Sequence, residues 1–364
     1  MIWKGRTKQM NKKIKVLHVL KSSLYSGAEN VVITIMKHLE EQFDFAYLAT
    51  KGEIEAVLKK EQLSYYLLKK YTRKAIGKVI REFEPDIVHA HDFTATVFCS
   101  SLRKDFYLIS HLHYDPPWVK HWNLKTILYA CCDRKINKLL VVSQDMIQAM
   151  VFTKDLKIQP SKIFVIKNPL DICRIKSGAE VEGSDCSGYD VVFIGRFVEQ
   201  KDPQRFIRII SKVKRAGLVD INCIMLGEGT LFDACGYLIK ELELDANIQM
   251  AGFQQNPYRY IKKSKILCMT SRWEGFGLVL AEANVLGVPA LSTKTSGACE
   301  VLGKDAWEIC TTDSEFVEKM TKLLTKDMEY QNIQKVVQKR SEGFDNLEDY
   351  MEQIALIYEG MEVP

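Results

Sequence analysis

From end to end the chain alternates short apolar runs with amphipathic segments, and glycine recurs in the turns between them. Ile14–Leu20 is an apolar run of strand length, Lys21–Gly27 a polar loop, and Ala28–Leu39 an amphipathic helix. A strand that leads through a glycine loop into a helix, again and again, specifies a doubly wound α/β architecture. Further strands are expected at Phe43–Thr50, Ser64–Leu68, Asp86–His91, Tyr107–His111, Lys138–Ser143 and Ile163–Ile166. Helices are expected at Ile54–Lys60, Thr72–Glu82, Thr94–Arg103, Leu124–Ile136 and Gln144–Thr153. Asn168–Ser187 is polar, broken by Pro169 and Gly178, and reads as a linker. A second series then begins, with strands at Asp190–Ile194, Asn222–Leu226, Ile248–Ala251, Lys265–Met269, Pro289–Ser292 and Trp307–Ile309. Its helices are expected at Gln204–Ala216, Leu231–Leu242, Pro257–Lys263, Leu278–Leu286, Phe316–Leu324 and Asn332–Lys339, and Leu347–Tyr358 closes the chain.

The 364 residues suit two such domains, divided as 1–170, a linker at 171–188, and 189–344. A net charge of +5 is too weak to point to nucleic acid, but suits anionic ligands or an anionic membrane surface. Ten cysteines are scattered without any Cys-x-x-Cys, so the common zinc patterns are absent and a reducing compartment, the cytoplasm, is expected. The amino terminus is basic to Lys15 and lacks the apolar core of a secretion signal; its first dozen residues read as a frayed tail, with Met10 an alternative start. No run of 18 apolar residues occurs, so no membrane span is expected. All seven histidines fall at or before position 121, which implies different chemistry in the two halves.

Several candidate site residues stand at expected strand ends. Glu274-Gly275-Phe276-Gly277-Leu278 lies between a strand and a helix, and Glu282 follows inside that helix. The glycines permit a tight turn and close approach to a ligand, and a helix start favours an anion. Gly195 and Arg196 end the first strand of the second half; Asp202 suits a helix cap and Pro203 the first turn, so Arg196 and Lys201 project from the loop between. Gly227-Glu228-Gly229 ends the next strand and Gly252-Phe253 a later one. The Gly-x-Gly is no dinucleotide fingerprint, for no third glycine follows at the required place. In the first half, Ser26-Gly27-Ala28-Glu29 sits at a helix start, where Ser26 could simply be a cap. His89-x-His91 and His111-x-His113 each place two imidazoles on one strand face, so each pair could ligate a metal.

Taken together, Gly195-Arg196 with Lys201 and the Glu274–Glu282 stretch resemble the retaining glycosyltransferases of family 4, over nearly the whole chain from Ile14 to Tyr358. The resemblance implies the GT-B fold, two doubly wound Rossmann-like domains facing a central cleft, with 345–364 crossing back onto the first domain. It implies a nucleotide diphosphate sugar as donor, first among them a UDP-sugar, no cofactor, no metal, and retention at the anomeric carbon. Breaking the sugar–diphosphate bond develops negative charge on the leaving group. Many nucleotide-sugar enzymes meet it with a metal on an Asp-x-Asp, which this chain lacks. Fixed Arg and Lys side chains can do the same. The resemblance gives that role to Arg196 and Lys201. It sets Glu274 and the backbone of Gly275, Phe276, Gly277 and Leu278 against the donor sugar, and Glu282 against the ribose. Gly195, Gly227, Gly229 and Phe253 fall beside the nucleotide, and Gly27 opposite the diphosphate. The family's sugar-contacting histidine matches His113, with His111 the alternative. The catalytic set is therefore Glu274, His113, Arg196 and Lys201.

Between Tyr114 and Lys138, Trp118, Trp122 and Tyr129 interleave with Lys120, Lys125, Arg134 and Lys135. Such a pattern suits an anionic membrane face and a lipid-linked or oligosaccharide acceptor, as in capsule, exopolysaccharide or lipopolysaccharide synthesis; a half-buried helix with a solvated basic face is the alternative. Two rival activities are an epimerase-like enzyme of the same fold and a histidine-metal hydrolase using Asp92 or Asp115.

Overall fold

A computed structural model describes residues 13–102, 105–114, 116–155, 158–180 and 188–360. The basic tail with Met10, Arg103, Asp115, Cys186 and the acidic part of the expected linker from residue 181 to 187 lie outside these.

The chain divides into two units, one ending at Pro169 but regaining the helix from Leu347, the other running Leu170–Asn346. In the first, strands β1 (Ile14–Val19), β2 (Phe43–Thr50), β3 (Tyr65–Leu68), β4 (Ile87–Ala90), β5 (Tyr107–Leu112), β6 (Lys138–Val141) and β7 (Ile163–Val165) form one parallel sheet in the order β3-β2-β1-β4-β5-β6-β7. In the second, β8 (Tyr189–Ile194), β9 (Cys223–Leu226), β10 (Ile248–Met250), β11 (Ser264–Met269), β12 (Ala290–Thr293) and β13 (Ile309–Cys310) are parallel in the order β10-β9-β8-β11-β12-β13. Both orders grow outward from the first strand in one direction and then reverse. Ligands of such sheets bind at the carboxyl ends of the strands flanking that reversal. Here those are β1 and β4 in the first unit, and β8 and β11 in the second.

Strands buried on both faces read as continuous apolar runs, which is why they were legible. Val16, Leu17 and Val19 of β1 and Val191, Val192 and Phe193 of β8 are buried in their sheets. Helix Pro203–Arg215 buries Phe206, Ile207, Ile209, Ile210 and Val213, an apolar stripe of helical spacing. Asp202 caps it, its side chain accepting from Arg205 N, and Pro203 opens it as the sequence predicts. Cys99, Cys132, Cys223, Cys235, Cys268 and Cys310 are buried as small hydrophobes. No helix among the described residues is long and apolar enough to cross a membrane.

Four local expectations are corrected. The stretch read as a linker contains a helix, Ile172–Ala179, because Asp171 accepts from Arg174 N at 2.8 Å and Ile175 is buried beneath it. The helix expected to run to Ile136 ends at Ala130; tighter turns follow, with Cys132 N bonding Tyr129 O and Lys135 N bonding Cys132 O. The helix expected over Gln144–Thr153 breaks at Met150, which is extended. A helix at Ser296–Leu302 escaped sequence reading altogether; Thr295 caps it through Ala298 N.

The closing helix Leu347–Tyr358 belongs to the first unit. Tyr358 is buried, with its hydroxyl 2.7 Å from His89 Nδ1 and its ring 5.2 Å edge-on from Phe43.

Candidate functional site

In the second unit three loops leave the carboxyl ends of neighbouring strands and are stitched by backbone hydrogen bonds. Gly195 N donates to Leu226 O, Phe197 N to Glu228 O at 2.8 Å, and Gly227 N to Gly252 O at 2.8 Å. The Gly-x-Gly after β9 has a structural cause of its own. A Cβ on Gly227 would lie 2.1 Å from Gly195 O, and one on Gly229 2.5 Å from Phe197 O; their φ angles, +131° and +151°, are ones L side chains rarely adopt. Gly195 packs its Cα against the Lys201 stem, where a Cβ would meet the side chain at 3.2 Å. Phe253 is exposed, and its N–H donates to the Glu228 carboxylate.

Arg196 and Lys201 both leave the loop after β8. Arg196 donates to the Gln200 side chain, and Gln200 Nε2 donates at 3.1 Å to Trp273 O, tying this loop to the one after β11. Across the same seam Arg272 N donates to Gln200 O, and the Arg272 guanidinium reaches Glu199 and Asp202. Lys201 Nζ forms an ion pair with Glu274 Oε1, which also accepts from Ser271 Oγ at 2.8 Å. Lys201 and Glu274, 73 residues apart, are thus neighbours, and both are largely shielded from water. Gly297 N and Ser296 Oγ both donate to Glu274 O, at 3.0 and 2.8 Å. Gly297 approaches so closely that a Cβ there would sit 2.7 Å from the Phe276 carbonyl carbon. Gln200, Ser271 and Gly297 were missed in the sequence; only the Thr295-Ser296-Gly297 cap signal hinted at the last.

Gly277, at φ +79°, precedes helix Leu278–Val285 and lets the chain turn sharply into it. Glu282, within that helix, is half-buried. Burial raises its carboxyl from 4.5 to about 7, against the pull of Arg174, a hydrogen bond from Tyr258, and Lys201. Arg174 stands on the unexpected helix Ile172–Ala179, so the presumed linker contributes to the site. Between 4.5 and about 7 the folded protein holds a proton on Glu282 that the unfolded chain has released. This group therefore favours folding less as pH rises through that window, and its cost is fully present above it. Glu282→Gln is expected to flatten the fall in Tm between about pH 5 and pH 8, leaving the variant a few degrees more stable than wild type at the upper end. Thermal melts across pH test this, and parallel curves for both proteins would refute it.

In the first unit Gly27 opens helix Gly27–His38 at the surface. Ser26 makes no cap bond; its hydroxyl donates instead to Glu29, which corrects the simple capping reading. His111 and His113 stand at the end of β5. His111 is fully buried, whereas His113 retains 8% exposure and burial lowers its pKa to about 4 despite Asn168 beside it. Asp92 is committed to the backbone, accepting from Ala95 N at 2.6 Å and Lys21 N at 3.1 Å. That removes the carboxylate nearest in sequence from the hydrolase reading.

The aromatic-basic stretch separates into two faces. Tyr129 is core, hydrogen-bonded to Ser110 at 2.7 Å. Trp122, Leu124, Ile127 and Leu128 are exposed, Leu124 by 73%, with Lys120, Lys125, Arg134 and Lys135 also at the surface.

Two doubly wound parallel sheets, each with its glycine loops at the strand carboxyl ends, define an α/β protein of the GT-B class. Among solved structures this architecture is shared with Anabaena Alr3699/HepE in complex with UDP and glucose, at TM-score 0.79 and 18% identity, covering 96% of this chain and 100% of that one. Residues 179–340 match the family described as Glycosyl transferases group 1, and residues 25–174 that described as Glycosyltransferase Family 4. The chain belongs to these glycosyltransferases. It is 31% identical over 153 residues to the N-acetylgalactosamine-N,N'-diacetylbacillosaminyl-diphospho-undecaprenol 4-alpha-N-acetylgalactosaminyltransferase of Campylobacter jejuni, spanning 42% of this chain and 40% of the relative. It is 28% identical over 242 residues to the lipopolysaccharide 1,6-galactosyltransferase of Escherichia coli, spanning 64% and 62%. Both matches cover less than two thirds of the relatives' lengths.

Proposed function

We propose that this chain transfers a sugar, with retention and without a metal, from a nucleotide diphosphate sugar to a hydroxyl of a lipid-linked or oligosaccharide acceptor, in the synthesis of a bacterial surface polysaccharide. A UDP-sugar is the first donor to test, because the structural neighbour binds UDP. The observation that carries the reading is the Lys201–Glu274 pair, which fixes a cation at the carboxyl ends of β8 and β11, on the loop that also carries Arg196. An ammonium has three donors, so Lys201 can keep its bond to Glu274 and still meet phosphate oxygens. Arg196 adds a planar fork suited to the same group. Glu274 and the Gly275–Gly277 backbone would position the sugar, Glu282 the ribose, and His113 a sugar hydroxyl; these roles come from the family resemblance.

The acceptor side rests on the exposed Trp122, Leu124, Ile127 and Leu128, with four exposed basic residues in the same stretch. Apolar side chains flanked by lysine and arginine bind an anionic bilayer surface peripherally. The Campylobacter relative is named for a diphospho-undecaprenol acceptor, which supports an acceptor of that kind. One assay tests the whole reading: labelled UDP-sugars with polyprenyl-diphosphate-linked saccharides in anionic vesicles, with and without EDTA. Label is expected in the lipid fraction, unchanged by EDTA. Donor turnover without acceptor would favour the epimerase-like rival, and loss of transfer in EDTA would overturn metal independence.

A further inference from the structure

Five imidazoles share one face of three adjoining strands. His18 on β1 lies in register with His89 on β4, His91 follows β4, and His111 and His113 end β5. The rings of His89 and His91 stack at 4.0 Å and those of His111 and His113 at 4.1 Å. All five are buried. Some nitrogens pair within the cluster: His18 Nδ1 with His91 Nε2 at 2.8 Å, and His91 Nδ1 with His113 Nε2 at 3.0 Å. Both nitrogens of His111, however, and the Nε2 atoms of His18 and His89, are buried with no hydrogen-bond partner. Each such atom has lost its water without gaining a partner, which is unfavourable. Stacking cannot repay that, because it satisfies no lone pair.

We infer that His91, His111 and His113 form a binding site for one divalent transition metal of the zinc class, reached past His113. Neutral imidazole is the preferred ligand type for such ions. The donor atoms of this trio all lie within 4.8 Å of one another. Tetrahedral zinc, with bonds of about 2.0–2.1 Å, sets its ligands about 3.3 Å apart. His91 Nδ1 and His113 Nε2 are already 3.0 Å apart, and His111 beside them offers two nitrogens without a hydrogen-bond partner. His18 on the far nitrogen of His91 supplies the orienting bond that metal-bound imidazoles carry. The alternative trio, His18, His89 and His91, meets the same distance but is sealed from solvent, with Tyr358 holding His89. The site belongs to the first unit; it takes His113 through Nε2 and leaves that ring's Nδ1, which has no hydrogen-bond partner, for the sugar hydroxyl of the proposed function, on which this assignment does not depend.

The full chain, without an affinity tag and stripped by chelator, is titrated with Zn2+ and with Co2+. Expected are one zinc per chain, a raised Tm, and the intense visible absorption of tetrahedral cobalt. His111→Leu fills the same space without polar atoms; it is expected to fold with an unchanged or higher metal-free Tm and to lose both the zinc shift and the cobalt spectrum. His113→Ala, at the least buried position, is expected to weaken zinc by about 100-fold or more. A wild-type chain that binds no stoichiometric metal, or a zinc shift surviving in both variants, overturns the inference.

Discussion

Arg196→Ala is expected to lower kcat by about 10²–10³-fold, with a smaller change in KM, when sugar transfer from the preferred donor is measured. In the proposed reaction the charge that Arg196 would meet grows on the leaving diphosphate as the glycosidic bond breaks, so the contact would be worth more in the transition state than in the ground state. Removal of one such fixed donor costs about 3–4 kcal/mol of barrier. Lys201→Ala should lose as much activity and also lower Tm, which Arg196→Ala should not. Glu274 is buried and would keep only the Ser271 hydroxyl on the oxygen that Lys201 now holds. Stripping a shielded carboxylate of its partner costs about 3 kcal/mol. The double variant should fall short of the product of the two losses, since in the proposed reaction both cations serve one group. Glu199→Ala, removing a 71% exposed partner of Arg272, is the control and should change little. Unaltered kcat in Arg196→Ala would mean the diphosphate is held elsewhere.

Gly227→Ala is expected to cost at least about 3 kcal/mol, or to prevent folding, as read by denaturant titration. The added carbon would lie 2.1 Å from Gly195 O, at a φ of +131°. Relief requires moving one backbone loop off another, and the displaced loop carries Arg196. A flexible side chain in the way would yield; a carbonyl fixed at the end of β8 does not. Gly236→Ala is the informative contrast. Gly236 lies in helix Phe232–Glu241 with nothing within 4 Å of a built Cβ, so alanine there should stabilise by about 0.5–1 kcal/mol. Equal stabilities for the two variants would show that the loops after β8 and β9 do not meet as described.

The positions of the strands were legible because buried parallel strands are continuous apolar runs that end abruptly at glycine or polar residues. The Gly195-Arg196 and Glu274–Leu278 loops could be placed at strand ends for the same reason. Helix Ile172–Ala179 was not legible, since only Ile175 is buried and its start depends on one Asp171 cap. The histidines showed themselves as two pairs, His89 with His91 and His111 with His113. Nothing local revealed that His18, some 70 residues earlier, joins them.

From the sequence by itself came the alternation of strand and helix, the loops that carry Arg196, Lys201 and Glu274, and the family that those motifs resemble. These are properties of neighbouring residues, set by periodicity, turn chemistry and spacing. Tertiary structure alone decided the partnerships: Lys201 with Glu274, Arg174 beside Glu282, Tyr358 on His89 across 269 residues, and five imidazoles on one sheet face. The reason is the strand order. β1 lies against β4 and β8 against β11, so the side chains at each reversal come from segments far apart in the chain, and no short-range pattern records which of them will meet.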